Sequence, residues 1–165
     1  MKLWLGLSAL LCALNASAAS FEQACTQRQC AVGEIVTIQG NGPKDFYYAC
    51  PTKALSNYTN GVSGMLEMQF SLTGRRPRFN RITGDPDYEG ESSYTVAQLH
   101  EDANVPTFHD AIRICRKTWA HARRVKILSV PASNDQSLEN MSAFVQDARS
   151  QQRYWLPYSY LFALQ

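Results

Sequence analysis

Pro106-Thr107-Phe108-His109-Asp110-Ala111-Ile112-Arg113-Ile114-Cys115-Arg116-Lys117-Thr118-Trp119-Ala120-His121-Ala122 is the stretch on which the fold class turns. Thr107 and Asp110 stand three apart behind a proline, a capping pair that satisfies orphan backbone donors at a helix start. Phe108, Ala111, Ile112, Cys115, Trp119 and Ala122 then recur at steps of three and four and form one apolar stripe. Arg113, Arg116, Lys117 and Arg124 fall off that stripe. The spacing predicts an amphipathic helix from Thr107 to Ala122, with Cys115 facing inward. The neighbouring apolar segments upstream are short and strand-like, so the elements segregate as in α+β proteins and do not alternate as in βαβ units.

Downstream, Val125 to Val130 reads as a strand stopped by Pro131. A second helix is expected from Ser137 to about Ser150, with Leu138, Met141, Val145 and Ala148 on one face, and Tyr154 to Leu164 is an aromatic strand. Upstream, Phe21 to Gly33 is a cysteine-bearing lead-in and Glu34 to Gln39 a β-branched strand. Gly40-Asn41-Gly42-Pro43 is a strong turn signal, and Asp45 to Cys50, with Phe46, Tyr47 and Tyr48, reads as the hairpin partner. Thr52 to Gly64 is rich in Asn, Ser and Gly and reads as a loop. Met65 to Leu72 alternates with a period of two and reads as a half-buried strand. Arg78 to Thr83 and Ser93 to His100 are further strand candidates around an acidic loop, Asp85 to Ser93. The expected architecture is a small antiparallel OB-like β-barrel or curved sheet, packed by the central 107–122 helix, with a second helix near the C-terminus.

The N-terminus carries Lys2, an apolar run from Leu3 to Leu14, and Asn15-Ala16-Ser17-Ala18-Ala19. These are the three parts of a cleavable secretory signal, with Ala16 and Ala18 as the small residues before the cut. The run is shorter than the ~20 residues a membrane span needs. Leu11 ahead of Cys12 lacks the small side chain that lipidation requires. The expectation is a signal peptide over residues 1–18, a single domain over 19–165, no membrane span, and a secreted or periplasmic location. Removing Lys2 from the 16 basic residues leaves 15 against 14 acids. A nucleic-acid binder carries a larger basic excess.

Cys12 leaves with the signal, and Cys25, Cys30, Cys50 and Cys115 remain. An even count in an exported chain points to two disulfides out of three possible pairings. Cys25 with Cys30 closes a tight loop, which leaves Cys50 with Cys115 to close a long one. Zinc is excluded because the spacing is not C-x-x-C and the histidines are remote in sequence.

Each candidate site competes with a plainer role. His109-Asp110 could begin a metal-dependent phosphohydrolase site, but the partner histidines and carboxylates are lacking and Asp110 serves as a helix cap. Asp85-Pro86-Asp87-Tyr88-Glu89-Gly90 opens like a calcium loop, yet Val96 stands where the bidentate glutamate belongs. Arg75-Arg76-Pro77-Arg78 with Arg81 could meet carboxylate or phosphate bidentately, or be a solvated hairpin end. Tyr47, Tyr48, Asn57, Tyr58 and Asn60 could line a sugar site of stacked rings and amides, or be core packing. No serine, cysteine or lysine nucleophile motif and no phosphate loop appears, so neither catalysis nor a cofactor or metal is expected.

Pro106-Thr107-Phe108, the helix through Arg116 and Trp119, and Arg124-Val125-Lys126-Ile127 entering a strand together resemble the central helix and next strand of bacterial AB-toxin B subunits, closest to the typhoid- and subtilase-toxin type and more distantly the cholera-toxin type. The likeness runs over about 22 residues, and Glu34 to Cys50 loosely resembles that family's first hairpin. The resemblance implies an OB-like barrel, a five-membered ring of copies and binding of cell-surface glycans, with Lys126 at the position of a basic residue lining the glycan pocket. Ala31-Val32-Gly33 stand where that family has a small hydroxyl and tyrosines, and the family's hairpin disulfide has no counterpart. The segments Lys53–Glu101 and Ala132 onward are longer than the family pattern.

The resulting expectation is an exported ligand-binding domain for a glycan, with Tyr47 or Tyr48 stacking on the sugar and Lys126 pairing with an anionic substituent or a hydroxyl. The alternatives are a periplasmic inhibitor or immunity-type protein acting by protein–protein contact, for instance through Arg75, Arg76 and Arg78, and a structural component of an envelope or secretion assembly. Protein recovered after export is expected to begin at Ala19. Intact-mass measurement checks this, and retention of residues 1–18 would contradict it.

Overall fold

The computed structural model describes residues 21–40, 42, 44–132 and 141–164. The proposed signal peptide therefore lies outside the described residues, as do Asn41 and Pro43 of the turn and the start of the expected C-terminal helix. The elements, in chain order, are α1 (Cys25–Arg28), β1 (Ile35–Ile38), β2 (Phe46–Ala49), α2 (Lys53–Thr73), α3 (Glu91–Ala103), α4 (Phe108–Ile114), β3 (Arg116–Trp119), β4 (Arg123–Ser129), β5 (Ser142–Asp147), β6 (Arg153–Pro157) and β7 (Leu161–Ala163). The fold is α+β, with an antiparallel five-stranded sheet in the order β6-β5-β4-β1-β7 and a separate antiparallel pair, β2-β3. The large sheet is open, so the barrel form of the expectation does not hold while the sheet-plus-helices form does.

β1 and β4 follow their expected positions. Val125 and Ile127 are fully buried while Lys126 between them is exposed, the alternation a one-sided strand requires. β1 pairs with β4 and β7, not with β2 as expected. β2 instead pairs with β3, Phe46 opposite Trp119 and Ala49 opposite Arg116. Cys50 and Cys115 are the next residues beyond that last pair, and they are disulfide-bonded with Cα atoms 4.4 Å apart. Cys25–Cys30 is the second disulfide, so both pairings are those expected from the sequence. The Cys50 bond also explains why the 107–122 helix is shortened. The Thr107 cap forms, with Asp110 N–H donating to Thr107 Oγ1 at 3.1 Å. The helix then ends at Cys115, which is held at the end of β2, and residues 116–119 continue along β2 as a strand.

Two further expectations are overturned by helices. Thr52 caps α2, its Oγ1 accepting from Leu55 N–H at 3.2 Å, and Leu55, Tyr58 and Val62 are buried at helical spacing. The loop-like residues Ser56, Asn57, Thr59 and Asn60 are buried with them. The alternation of 65–72 belongs to the end of this helix and not to a strand. Likewise Ser93–His100 is helical, because Val96, Leu99 and Ala103 form its buried stripe. The expected C-terminal helix is a strand over its described part: β5 pairs with β6, and Phe144 stacks on Trp155 across the ladder at 5.0 Å. Arg78 to Thr83 contributes only a single bridge, Phe79 to Pro86.

Two cores result. The first joins Val36, Ile38, Val125, Ile127, Val145 and Leu156 under the large sheet, with Tyr47 reaching into it. The second joins Leu55, Tyr58, Val62, Val96, Leu99 and Phe108, with Tyr48 reaching into that one. β2 is the wall between them. Its edge away from β3 meets the Trp155 backbone at Cys50 and is closed at Tyr48 by a side chain: Tyr48 N–H donates to Asn60 Oδ1 at 2.8 Å, and Asn60 Nδ2 donates to the Tyr48 carbonyl at 3.0 Å. Asn60→Ala leaves two buried backbone groups unpaired, at about 1–3 kcal/mol each. Asn60→Asp additionally sets an acceptor against the Tyr48 carbonyl. Denaturant unfolding should rank native above Asn60→Ala above Asn60→Asp at neutral pH, and an aspartate variant as stable as the native chain would refute the clamp.

Candidate functional site

The residues expected to form a sugar site do not share a surface. Tyr47 is 1% exposed and Tyr48 8%. The Tyr47 ring lies against Tyr154 and Tyr160, and burial followed by the Tyr154 neighbour pushes its hydroxyl well above the usual phenol range. Lys126 is exposed, on the face of β4 opposite to Val125 and Ile127 and therefore opposite to the core that Tyr47 enters. Asn57, Tyr58 and Asn60 are buried on α2. What the strand does present is a neighbour the sequence assigned to a helix stripe: Trp119, half exposed, edge-on to Phe46 at 6.2 Å. The Lys117 ammonium lies 3.7 Å from the Phe46 ring centre and 5.5 Å from that of Trp119. This is a small cationic, aromatic platform.

The acidic loop turns inward. Asp85 accepts a short hydrogen bond from Tyr58 Oη, and its Oδ2 lies 2.5 Å from His100 Nδ1. His100 Nε2 donates to the Val105 carbonyl at 2.8 Å. Burial, then the bond to Asp85, pushes the Tyr58 hydroxyl far above its ordinary range, so it acts as a donor throughout. An aspartate, a histidine and a tyrosine in contact resemble a proton-transfer set. Here both imidazole nitrogens and both carboxylate oxygens already face protein groups, so none is left for a substrate. The cluster is a clasp joining α2, the 85 loop, α3 and the turn before α4. Asp85 is thereby withdrawn from any calcium loop, and among the described residues no group of histidines, cysteines and acids could hold a metal. His109 and His121 are exposed and apart from this cluster.

The arginine cluster has the reverse character. Met65 and Leu66 still pack on the second core; beyond them α2 loses most of its cover, and its last turn, Phe70 to Thr73, is exposed on every side. Met68 is 60%, Phe70 50% and Leu72 79% exposed. Gly74 closes the helix in the left-handed region with φ of 68°, where glycine carries no side-chain penalty. Arg75, Arg76, Arg78 and Arg81 follow, all exposed, and none makes an ion pair among the described residues. The Arg76 guanidinium lies 5.7 Å from the Phe70 ring centre. From Met68 to Gly84 the chain contains those four arginines and no acid. The charge was legible in the sequence. The apolar half was not, because the period of two over Met65 to Leu72 points to a half-buried strand.

Comparison with family models, with curated proteins and with solved structures gives no match to this chain.

If the clasp is structural, His100→Ala should lower stability by about 2–3 kcal/mol, because it leaves Asp85 and the Val105 carbonyl without a partner where both are shielded from water. Tyr58→Phe, which deletes a single hydrogen bond, should lower it by about 1 kcal/mol. Thermal or denaturant unfolding measures both, and an unchanged His100→Ala variant would contradict the assignment.

Proposed function

We propose that this chain is an exported binding protein that works by surface contact and performs no chemistry on a substrate, and that its contact element is the uncovered end of α2 with the arginines that follow. The observation that carries the proposal is the combination at that end: three large apolar side chains held in water beside unpaired guanidinium groups. Single exposed apolar side chains are ordinary on a protein surface, but large ones grouped around one uncovered helix end mark an interaction site. Arginine is enriched at such surfaces because it packs through its stem and plane while keeping its charge. Export is supported by the leader-like N-terminus and by the two disulfides, which persist in oxidising compartments. Among the described residues no helix is long and apolar enough to cross a membrane.

A second possibility, glycan binding, is favoured by one specific feature. Trp119 with Phe46 and Lys117 offers an exposed ring beside a cation, suited to the apolar face and anionic substituent of a sugar. That function, with the five-membered ring implied by the toxin-like segment, needs this platform and not Tyr47, Tyr48 and Lys126 together.

Side-chain footprinting separates the two. In the presence of a cell-envelope extract, oxidation of Met68, Phe70 and Leu72 should slow relative to buffer alone, while Trp119 is unaffected. Protection confined to Trp119 would transfer the function to the platform, and protection at neither place would overturn contact through α2.

A further inference from the structure

The two sides of the α2 end say what kind of partner it meets. At 3.6 residues per turn, Phe70 lies about 160–200° around the helix from Met68 and Leu72. The large apolar groups therefore point to opposite sides of one protruding helix. A groove on a folded protein covers one side of a helix, as in recognition by i, i+3, i+4 and i+7 anchors. Apolar groups on both sides are covered together only when the end is surrounded. The rise from Met68 to Gly74 is about 9 Å, comparable to the ~5–10 Å depth to which apolar groups of a surface-bound helix enter the headgroup and acyl boundary. The arginines follow directly at Arg75, Arg76 and Arg78, where guanidinium groups can meet lipid phosphates bidentately. Glu67, the nearest acid before them in sequence, is exposed and forms no ion pair with them.

We propose that the end of α2 is an interfacial anchor that seats end-on in the headgroup layer of an anionic phospholipid bilayer. This rests on the reading of that end as the contact element and names its partner. The anchor is a single helix end, with the two cores staying in water, and among the described residues no helix is long and apolar enough to cross the bilayer. The last turn can enter this layer because the headgroup region is hydrated, so the final helix carbonyls keep hydrogen-bond donors. The αL cap satisfies another, with Gly74 N–H donating to the Phe70 carbonyl at 2.8 Å. The clasp fixes the root of the same helix to α3, so the end is presented from a rigid base.

The test is flotation of the protein, recovered from the periplasm of an expression host, with vesicles of phosphatidylcholine alone or mixed with phosphatidylglycerol. Binding to the anionic vesicles is expected, weakened by 0.5 M salt, and at least tenfold stronger than to phosphatidylcholine alone. An arginine near an anionic surface strengthens partitioning about fivefold. Arg75→Gln, Arg76→Gln and Arg78→Gln together should therefore reduce binding about a hundredfold. Phe70→Ser with Leu72→Ser should reduce it at least tenfold on the same vesicles. All five positions are exposed, and unchanged melting would show that the fold is intact. In a Phe70→Trp variant the added emission should shift to the blue on binding. No binding to anionic vesicles, binding equal on both compositions, or binding indifferent to these substitutions would overturn the anchor. If vesicles fail while the envelope extract still protects Met68, Phe70 and Leu72, the contact element stands and its partner is a protein. If both fail, the contact reading falls as well.

Discussion

One amide side chain makes the two-core arrangement possible. β2 has a core against each face, so its backbone groups cannot turn to water, and an unpaired buried amide or carbonyl is costly. β3 pairs one edge. On the other edge Cys50 pairs with Trp155 of β6 and the Phe46 carbonyl accepts from Tyr160 Oη, but at Tyr48, between them, lies a helix, which has no backbone groups to offer sideways. Asn60 supplies them from α2, its oxygen accepting from Tyr48 N–H and its nitrogen donating to the Tyr48 carbonyl and to Ser56. Only a carboxamide carries a donor and an acceptor in this spacing. With that edge closed, the two-residue period of a strand can send Tyr47 into one core and Tyr48 into the other.

The same helix is held at three further places, all along its first half. Its cap lies beside the Cys50 end of β2, Ser142 Oγ of β5 donates to Ser56 Oγ at 2.8 Å, and Tyr58 enters the clasp. Met65 and Leu66 still rest on the second core, and past them the cover falls away until the last turn is exposed. Stability within a native protein follows local burial and contact density, so α2 runs from the best-anchored part of the molecule to one of the least covered. A helix continued past its last packing contact has to be stabilised by something other than this chain's own core, since isolated helical turns are marginal in water. That gradient ties the fold to the contact role proposed for its outer end.

How much of this was legible depended on whether local pattern and tertiary demand agreed. They agree at β1 and β4, at the Thr107 cap and in the cysteine pairing, where export, even count and loop length point one way. They conflict along residues 52–72. Ser, Asn and Gly at 56–64 signal a loop only if exposed, and here they are the small and polar residues that let a helix lie close against β2. Met65 to Leu72 alternates by type, but a helix end without cover imposes no pattern on its exposed positions, so the period of two carries no structural information there. At 142–147 a spacing of four (Met141, Val145) coincides with a spacing of two (Ala143, Val145), and pairing with β6 decides between them. Tyr47, Tyr48 and Lys126 could not be resolved as a site because the sequence does not tell on which side of a strand the second core lies. Trp119 escaped notice because its place on β3 is set by the disulfide at Cys115.

The charge distribution follows from the same division of labour. The chain is close to neutral overall, with a formal net charge of +2, and that balance conceals an asymmetry in use. Several acids are consumed by the fold. Asp85 is held in the clasp, Asp110 accepts from Thr107 at 2.6 Å, and Glu34 accepts from Ala31 N–H and pairs with Arg28. Asp147 shapes the β5–β6 turn. Burial alone would raise its carboxyl, but the N–H groups of Ser150 and Arg149, the Ser150 hydroxyl and the Arg123 charge outweigh this and hold it below the usual range. Acids are suited to such work because a carboxylate accepts several backbone N–H groups at once, and backbone donors are what turns and helix starts leave unpaired. Arginine has no matching use inside a small α+β core. The fold thus draws some of its carboxylates into caps, turns and the clasp and leaves Arg75, Arg76, Arg78 and Arg81 exposed, so that a nearly neutral chain groups four arginines where its helix runs out of cover.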